Sequence, residues 1–188
     1  MDYDHIDNAT YLVGNFKINN VYFNYGTYDD LEESLKLKLE QKKINYYKGL
    51  KSLKTPYYTF NFLNSSLYDN ENDNSLVTYF KYLDYTFLYM GDASSTRETD
   101  IIKKYNLEKI TILKVGHHGS KTSSSKEFIN EINPKYSIIS VGKNNRYGHP
   151  NKETVNNLNN SKIYRTDEDG SIMFKIKNNE LKIETYSP

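Results

Sequence analysis

Hydrophobic and polar positions along the first half of the chain follow two periodicities, which predict helices and strands. Leu31, Leu35 and Leu39 recur at helical spacing, so they predict an amphipathic helix with its N-cap at Asp29–Asp30. An extended run is predicted around residues 21–23, ahead of this helix. Further along, SLVTYFKY and YTFLYMGD alternate with period two, which predicts a β-hairpin that turns at Leu83–Asp84.

The second half of the chain alternates between predicted helices and strands. Helices are predicted over 95–105, 124–132 and near 152–159, with strands at 110–115 and 136–141. From residue 162 onward the pattern predicts three short strands, with turns at Asp169–Gly170 and Asn178–Asn179. Alternating elements of this kind predict an α/β fold in which helices flank a sheet, as one domain over residues 1–188.

Composition restricts the chemistry more than it restricts the fold. The 188 residues include no cysteine, which excludes disulfides and thiolate metal sites and leaves His, Asp and Glu as the strong ligands. The formal net charge of +1 does not by itself indicate a polyanionic partner. No apolar run approaches the roughly 20 residues that cross a bilayer, and no signal peptide opens the sequence. We therefore expect a soluble cytoplasmic chain without a membrane segment.

Three polar clusters stand at predicted strand ends or loops, and they offer imidazole or carboxylate ligands. In chain order they are Asp2, Asp4 and His5, then Asp92, then His117 and His118. Such ligands suit zinc, manganese or iron, and a pair of ions would lower the pKa of a water and hold a phosphate. Taken singly, each cluster is more often an ordinary loop or surface feature, so their order and surroundings carry the interpretation.

Residues after the histidine pair suit a phosphate group. Gly119 permits a sharp turn, and Ser120 leads a run of hydroxyls and amides at a predicted helix start. His149 is either a phosphate contact, a proton donor or a turn residue. Lys143 and Arg146 either bind a phosphodiester backbone or belong to a solvated loop.

Four segments in order, FLYMGDASSTRE, ILKVGHHGSKTSSSKEF, PKYSIISVGKNNRYGHP and YRTDEDGSI, resemble the metallo-β-lactamase-fold domain of ComEC-type DNA-uptake channel proteins. The resemblance runs from about Asp2 to Phe174 and implies an αβ/βα sandwich of two sheets flanked by helices. It also implies a metal-dependent hydrolase that binds one or two Zn or Mn ions. The implied activity is that of a phosphodiesterase or nuclease, with DNA, and specifically single-stranded DNA, as the substrate. Nucleic acid and a membrane DNA-uptake channel are the implied partners.

The first metal motif of this family is matched from its second position onward. Asp2 takes the central ligand position, while Asp4 and His5 take the closing Asp-His pair. Met1 occupies the variable position, so the first histidine of the motif and the opening strands are missing, as in an N-terminally truncated domain. The rival expectation is therefore an inactive remnant or a non-enzymatic fragment of such a domain.

The resemblance also assigns roles to the later candidates. Asp92 matches the metal-bridging aspartate, and His117 is the preferred late metal ligand because it comes first after the strand. His118 would then face the substrate, and we expect Asp4, His118 and His149 to be the catalytic residues. Many relatives carry another histidine before the hairpin, where this chain reads NENDNSLV, which weakens one metal position.

Overall fold

The computed structural model describes residues 3–63 and 66–187, with side chains from residue 5 onward. Within these residues the chain forms seven α-helices and eleven strands. The helices are α1 (Tyr3–Ile6), α2 (Ala9–Asn15), α3 (Asp30–Lys42), α4 (Ser95–Lys104), α5 (Lys126–Ile132), α6 (Lys152–Asn157) and α7 (Thr166–Asp169). The strands are β1 (Asn20–Phe23), β2 (Asn45–Lys48), β3 (Ser52–Lys54), β4 (Thr59–Phe62), β5 (Thr78–Tyr82), β6 (Tyr85–Tyr89), β7 (Ile112–Lys114), β8 (Tyr136–Ile139), β9 (Lys162–Arg165), β10 (Ser171–Lys177) and β11 (Glu180–Tyr186).

One seven-stranded sheet with the order β3-β4-β5-β6-β7-β8-β9 organises the molecule. Strands β3 to β6 pair antiparallel, and the predicted hairpin is confirmed as β5–β6, with Tyr82 opposite Tyr85. Strands β6 to β9 pair in parallel, and α4, α5 and α6 connect them in turn. The carboxyl ends of parallel strands meet at one edge of a sheet, where α/β proteins bind their ligands.

The helix-covered face of this sheet contains the main hydrophobic core. Leu88, Leu113 and Ile139 come from three adjacent strands and are fully buried against Ile101 of α4 and Phe128 of α5. Fully burying an apolar side chain of this size stabilises a fold by roughly 1.5–3 kcal/mol. The core therefore fixes the three strand ends, and the loops that follow them, relative to one another.

The opposite face of the sheet is lined with aromatic side chains. Phe80 stacks on Phe87 across β5 and β6, with the ring centroids 4.5 Å apart. At the other end of the sheet, Phe174 of the β10–β11 hairpin makes edge contacts with Tyr136 and Tyr164. The C-terminal hairpin thus covers part of this face.

The N-terminal segment forms a second, smaller core with the parallel pair β1–β2. Asp29 caps α3, since its side chain accepts the Glu32 backbone N–H while the Glu32 side chain accepts the Asp29 N–H. This capping box confirms the predicted helix start. Leu35 and Leu39 of the predicted apolar face are both buried in this core.

The structure confirms the expected α/β class, with a multi-stranded sheet flanked by helices, and it is consistent with the metallo-β-lactamase-like architecture that the resemblance implies. In the described residues the other strands form two two-stranded sheets. The strand predicted over 110–115 is shorter, and helix α7 precedes the turn predicted at Asp169–Gly170. Among the described helices, none combines the length and the apolar character that a membrane span requires.

Candidate metal centre

Asp92 lies just beyond the end of β6, at the carboxyl edge of the parallel strands. Its backbone N–H donates to Ser75 Oγ (3.0 Å), and its side chain is only 8% exposed. Gly91 adopts a positive φ of 58°, and a Cβ at this position would lie 2.8 Å from Ser75 Cβ. The glycine is therefore needed for the close approach that turns the Asp92 carboxylate into the edge.

The histidine pair follows β7 in a tight turn, Gly116–Gly119. His117 and His118 both have left-handed backbone conformations, with φ values of 46° and 53°. The His117 N–H donates to the Gly91 carbonyl oxygen (2.9 Å), which joins the two loops. His118 Nδ1 donates to the Ser140 carbonyl oxygen (2.7 Å), so Nε2 is the nitrogen that faces Asp92.

Three histidine rings surround the Asp92 carboxylate. His5 Nε2 lies 3.0 Å from Oδ2, His117 Nε2 lies 4.0 Å from Oδ2, and His118 Nε2 lies 3.8 Å from Oδ1. Burial raises the pKa of Asp92. The hydrogen bond from His5 and the charges of the three histidines lower this pKa by a larger amount. The net pKa is below the ordinary aspartate value, so the carboxylate is ionised at neutral pH.

His5, Asp92 and His118 form a compact cluster whose ligand atoms all lie within 4.8 Å of one another. Asp92 Oδ1 is buried and has no hydrogen-bond partner among the described residues. A buried, ionised oxygen without a donor favours a cation, and two imidazoles with one carboxylate are ligands typical of a divalent metal such as zinc. The residues therefore fit a divalent metal ion.

A cavity of about 750 Å³ opens onto this cluster, and Asp92, His117 and His118 form one part of its lining. Arg146 and His149, from the loop after β8, form another part. The volume lies in the range of small-molecule sites, which span roughly 300–1,000 Å³. The candidate centre is thus open to a substrate rather than closed like a structural metal site.

The remaining predicted site residues lie in different surroundings. Asp2 lies outside the described residues, and Asp4 belongs to α1, with its side chain outside the described part. Ser120 is buried, and its hydroxyl contacts Thr122 within its own loop rather than lining the cavity. Lys143 is exposed and does not line the cavity.

His149 lies beside the histidine pair, with its ring centroid 6.0 Å from that of His117. Asn145 holds the His149 backbone on both sides, because it accepts the His149 N–H (2.9 Å) and donates to its carbonyl (2.7 Å). Burial, and then the charges of His117 and His118, lower the pKa of His149. The ring is therefore neutral at pH 7, with one donor and one acceptor nitrogen.

Sequence reasoning missed the groups that orient the candidate ligands. The Ser140 carbonyl fixes the His118 ring, and Ser75 supports the Asp92 loop. Tyr147 and Thr166 also line the cavity. A backbone carbonyl carries no sequence signal, and the serine is a common loop residue, so no motif identifies either of them.

The fold and the His–Asp–His cluster at the sheet edge define a metallo-β-lactamase-type domain. The family model of the Metallo-beta-lactamase superfamily matches residues 1–143, and the chain belongs to this family.

Curated relatives confirm the resemblance to ComEC-type proteins. The chain is 30% identical over 194 residues to ComE operon protein 3 of Bacillus subtilis, and this alignment covers 100% of the chain and 25% of that protein. It is 32% identical over 130 residues to Competence protein ComA of Neisseria gonorrhoeae, covering 66% of the chain and 19% of the relative. Recombination protein 2 of Haemophilus influenzae is 32% identical over 99 residues, covering 52% and 12%. The chain thus spans a quarter or less of the length of these relatives.

The geometry makes a prediction about the two adjacent histidines. His118 belongs to the compact cluster, whereas His117 is the ligand preferred on sequence order. We expect His118→Ala to weaken divalent-metal binding at least 10-fold, because replacing even a group that only orients a metal ligand costs roughly 10- to 100-fold, and we expect His117→Ala to weaken it less. Titration calorimetry with Zn²⁺ on both variants checks this. A larger loss of Zn²⁺ affinity in His117→Ala than in His118→Ala would favour His117 as the metal ligand.

Proposed function

We propose that the chain is a divalent-metal-dependent phosphodiesterase that acts on single-stranded DNA. The observation that carries this proposal is the cluster of His5, Asp92 and His118, which opens into a cavity that also holds Arg146 and His149. The names of the relatives, which refer to competence and recombination, support a nucleic acid as the substrate. One or two ions, Zn²⁺ or Mn²⁺, are the proposed cofactors.

The residues that would hold the metal are His5, Asp92 and His118, with Asp2 and Asp4 as further proposed ligands from the first motif. A bound divalent ion supplies Lewis acidity toward a phosphoryl oxygen and lowers the pKa of water at the site. Asp92 contributes a fixed negative charge because its pKa is lowered. We propose that Asp4 also acts as a catalytic carboxylate.

The substrate side of the cavity is proposed to consist of Arg146, His117 and His149. Arg146 lines the cavity, and its guanidinium lies over the Tyr147 ring and donates to the Tyr147 hydroxyl (2.7 Å). We propose that the cation meets a phosphate oxygen from this position. His149, neutral and held by Asn145, can donate one N–H to a phosphate or accept a proton. Neither role requires it to be charged.

A membrane DNA-uptake channel is the proposed partner. The chain aligns over its whole length with a protein four times as long, of which it covers 25%. We propose that it degrades one DNA strand beside such a channel. This part of the proposal rests on the relatives alone.

The direct test is hydrolysis of a labelled single-stranded oligonucleotide by the chain, with Mn²⁺ or Zn²⁺ titrated and a chelator as the control. We expect metal-dependent cleavage that is faster than for the matching duplex. Cleavage of a carboxylic ester or thioester, with no cleavage of any phosphodiester, would contradict the proposed substrate class.

Arg146 and Lys143 form a matched pair for the substrate side, since they are cationic residues of the same loop and only Arg146 lines the cavity. Each phosphate contact on a single strand contributes roughly 0.7 to the slope of log affinity against log salt. We expect Arg146→Ala to reduce this slope by about that amount, and Lys143→Ala to leave it nearly unchanged. Fluorescence anisotropy with a labelled oligonucleotide over a salt series measures both slopes. Equal slopes in all three proteins would exclude Arg146 as a phosphate contact.

A further inference from the structure

A row of four rings leads away from the candidate metal centre along the cavity. It runs from His118 through His117 and His149 to Tyr147, and successive ring centroids lie 6.4, 6.0 and 5.8 Å apart. All four residues line the cavity. The rings of His149 and Tyr147 are nearly parallel, with 22° between their planes. Tyr147 is thus the last ring of the row, counted from the metal cluster, and it stacks on the ring before it.

Tyr147 is held in place but remains largely accessible to solvent. The Arg146 guanidinium lies over its ring, 4.9 Å from the centroid, and donates to its hydroxyl (2.7 Å). The residue is nevertheless 67% exposed, so its two neighbours leave most of it uncovered. An aromatic ring that is oriented before binding loses little conformational freedom when a ligand packs on it. Tyr147 therefore offers a pre-oriented apolar surface next to a cation.

The loop after β8 fixes this arrangement through Asn145. Its side-chain amide donates to the carbonyl oxygens of Gly142 (3.2 Å) and His149 (2.7 Å), and its Oδ1 accepts the His149 N–H (2.9 Å). The Gly148 N–H donates to the Asn145 carbonyl oxygen (3.4 Å), and Gly148 has a positive φ of 67°. These bonds close a tight turn with Tyr147 and His149 on either side of the glycine, so the stacked pair is built into the loop.

The charges around Tyr147 suit the phosphate groups of a nucleic acid. Among the described residues that line the cavity, Asp92 is the only acidic one, and it belongs to the metal cluster. Arg146 and the Tyr147 ring therefore lie side by side without a competing carboxylate in the lining. An unpaired base can turn out and stack on an aromatic ring, whereas a base in a duplex is covered by the adjacent base pairs. A cation beside an exposed ring thus fits one phosphate and one unpaired base.

We propose that Tyr147 stacks on an unpaired nucleobase of the substrate and makes the chain select single-stranded over double-stranded nucleic acid. The proposal rests on the nucleic-acid substrate of the proposed function and assigns the base contact to one residue. Because every base presents a flat π face, this contact discriminates strandedness and not sequence. Arg146 meets the phosphate and Tyr147 meets the base, so the two residues contribute separately to binding.

Fluorescence anisotropy of the full chain with two labelled oligonucleotides tests the base contact, with a chelator present so that no cleavage occurs. One oligonucleotide is an ordinary single strand, and the other has the same length and phosphates but abasic sugars. We expect Tyr147→Leu to weaken binding of the ordinary strand by roughly 5- to 150-fold, the contribution of one base–aromatic stack, and to leave binding of the abasic strand nearly unchanged. The wild-type chain should bind the ordinary strand more tightly than the abasic strand and the matching duplex.

Two control variants separate stacking from other roles of the side chain. Tyr147→Phe keeps the ring and removes the hydroxyl that Arg146 contacts, so it should bind both strands like the wild type. Tyr57→Leu removes a tyrosine that is 81% exposed and lies outside the cavity lining, so it should have no effect. An equal loss for both strands in Tyr147→Leu, or a loss in Tyr147→Phe as large as in Tyr147→Leu, would overturn stacking and make Tyr147 a support for Arg146.

The outcomes distinguish the base contact from the proposed activity. A chain that prefers the base-containing strand through Tyr147 but never cleaves it with Mn²⁺ would support the base contact and overturn the phosphodiesterase. Metal-dependent cleavage together with equal binding of the base-containing and abasic strands would overturn the base contact alone. A chain that neither binds nor cleaves a single strand would overturn both.

Discussion

Replacing Asp92 by alanine is expected to remove most of the bound divalent metal and to leave the circular dichroism spectrum nearly unchanged. The Asp92 side chain is the group around which His5, His117 and His118 converge, at distances of 3.0 to 4.0 Å. We expect a loss of affinity of roughly 100-fold or more, because substitutions outside the ligand shell already cost 10- to 100-fold. The fold should persist, since the bond to Ser75 comes from the Asp92 backbone N–H and alanine keeps it.

Elemental analysis after dialysis against a metal buffer measures this effect, with Asp69→Ala as the control for removal of an exposed carboxylate. Equal metal content in wild type and Asp92→Ala would remove Asp92 from the metal centre. A loss of metal accompanied by a loss of secondary structure would assign Asp92 a structural role instead.

Glu98→Ala is expected to lower the free energy of unfolding by about 2–5 kcal/mol, since each unpaired buried donor costs roughly 1–3 kcal/mol. Glu98 is fully buried in α4, and its carboxylate accepts the backbone N–H groups of Ser124 and Ser125. Those two residues end the loop that carries the histidine pair, and Ser124 has a positive φ of 59°. Removing the carboxylate leaves both donors without an acceptor and frees this loop.

Thermal unfolding followed by circular dichroism measures the change, and a loss of this size lowers Tm by about 5–15 °C in a chain of this length. Glu131→Ala is the matched control, because Glu131 is an exposed carboxylate in the last turn of α5. A Tm for Glu98→Ala equal to that of the control would mean that the loop has another anchor.

The sequence predicts the framework well because its signals are local. The capping box at Asp29 and the β5–β6 hairpin depend on residues a few positions apart, and both are observed. The strand β2 carries no comparable signal, since its parallel pairing with β1 rather than propensity forms it. Helix α7 has four residues, which is too short for a helical periodicity to appear in the sequence.

The sequence predicts that Asp92 and the histidine pair lie at strand ends, and the structure brings them together at one edge of the sheet, whereas the role of each residue within the site stays a prediction. Asp92 and the histidine pair follow parallel strands, so their convergence follows from topology. Which histidine joins the cluster depends on the left-handed backbone at His117 and His118 and on a bond to the Ser140 carbonyl. The preference for His117 assumes that the first histidine after the strand points into the site. Two consecutive residues with positive φ change the direction of both side chains, so the order along the chain does not decide which one does.

We propose that the cluster around Asp92 makes this chain a metal-dependent phosphodiesterase. The most direct measurement is the rate of single-stranded DNA cleavage by wild type and Asp92→Asn, purified in parallel and assayed with Mn²⁺ titrated and with chelator present. We predict cleavage by the wild-type chain that rises with Mn²⁺ and disappears with chelator, and none above background for Asp92→Asn. A folded, metal-loaded wild type that cleaves no phosphodiester, or equal rates in the two proteins, would contradict the claim.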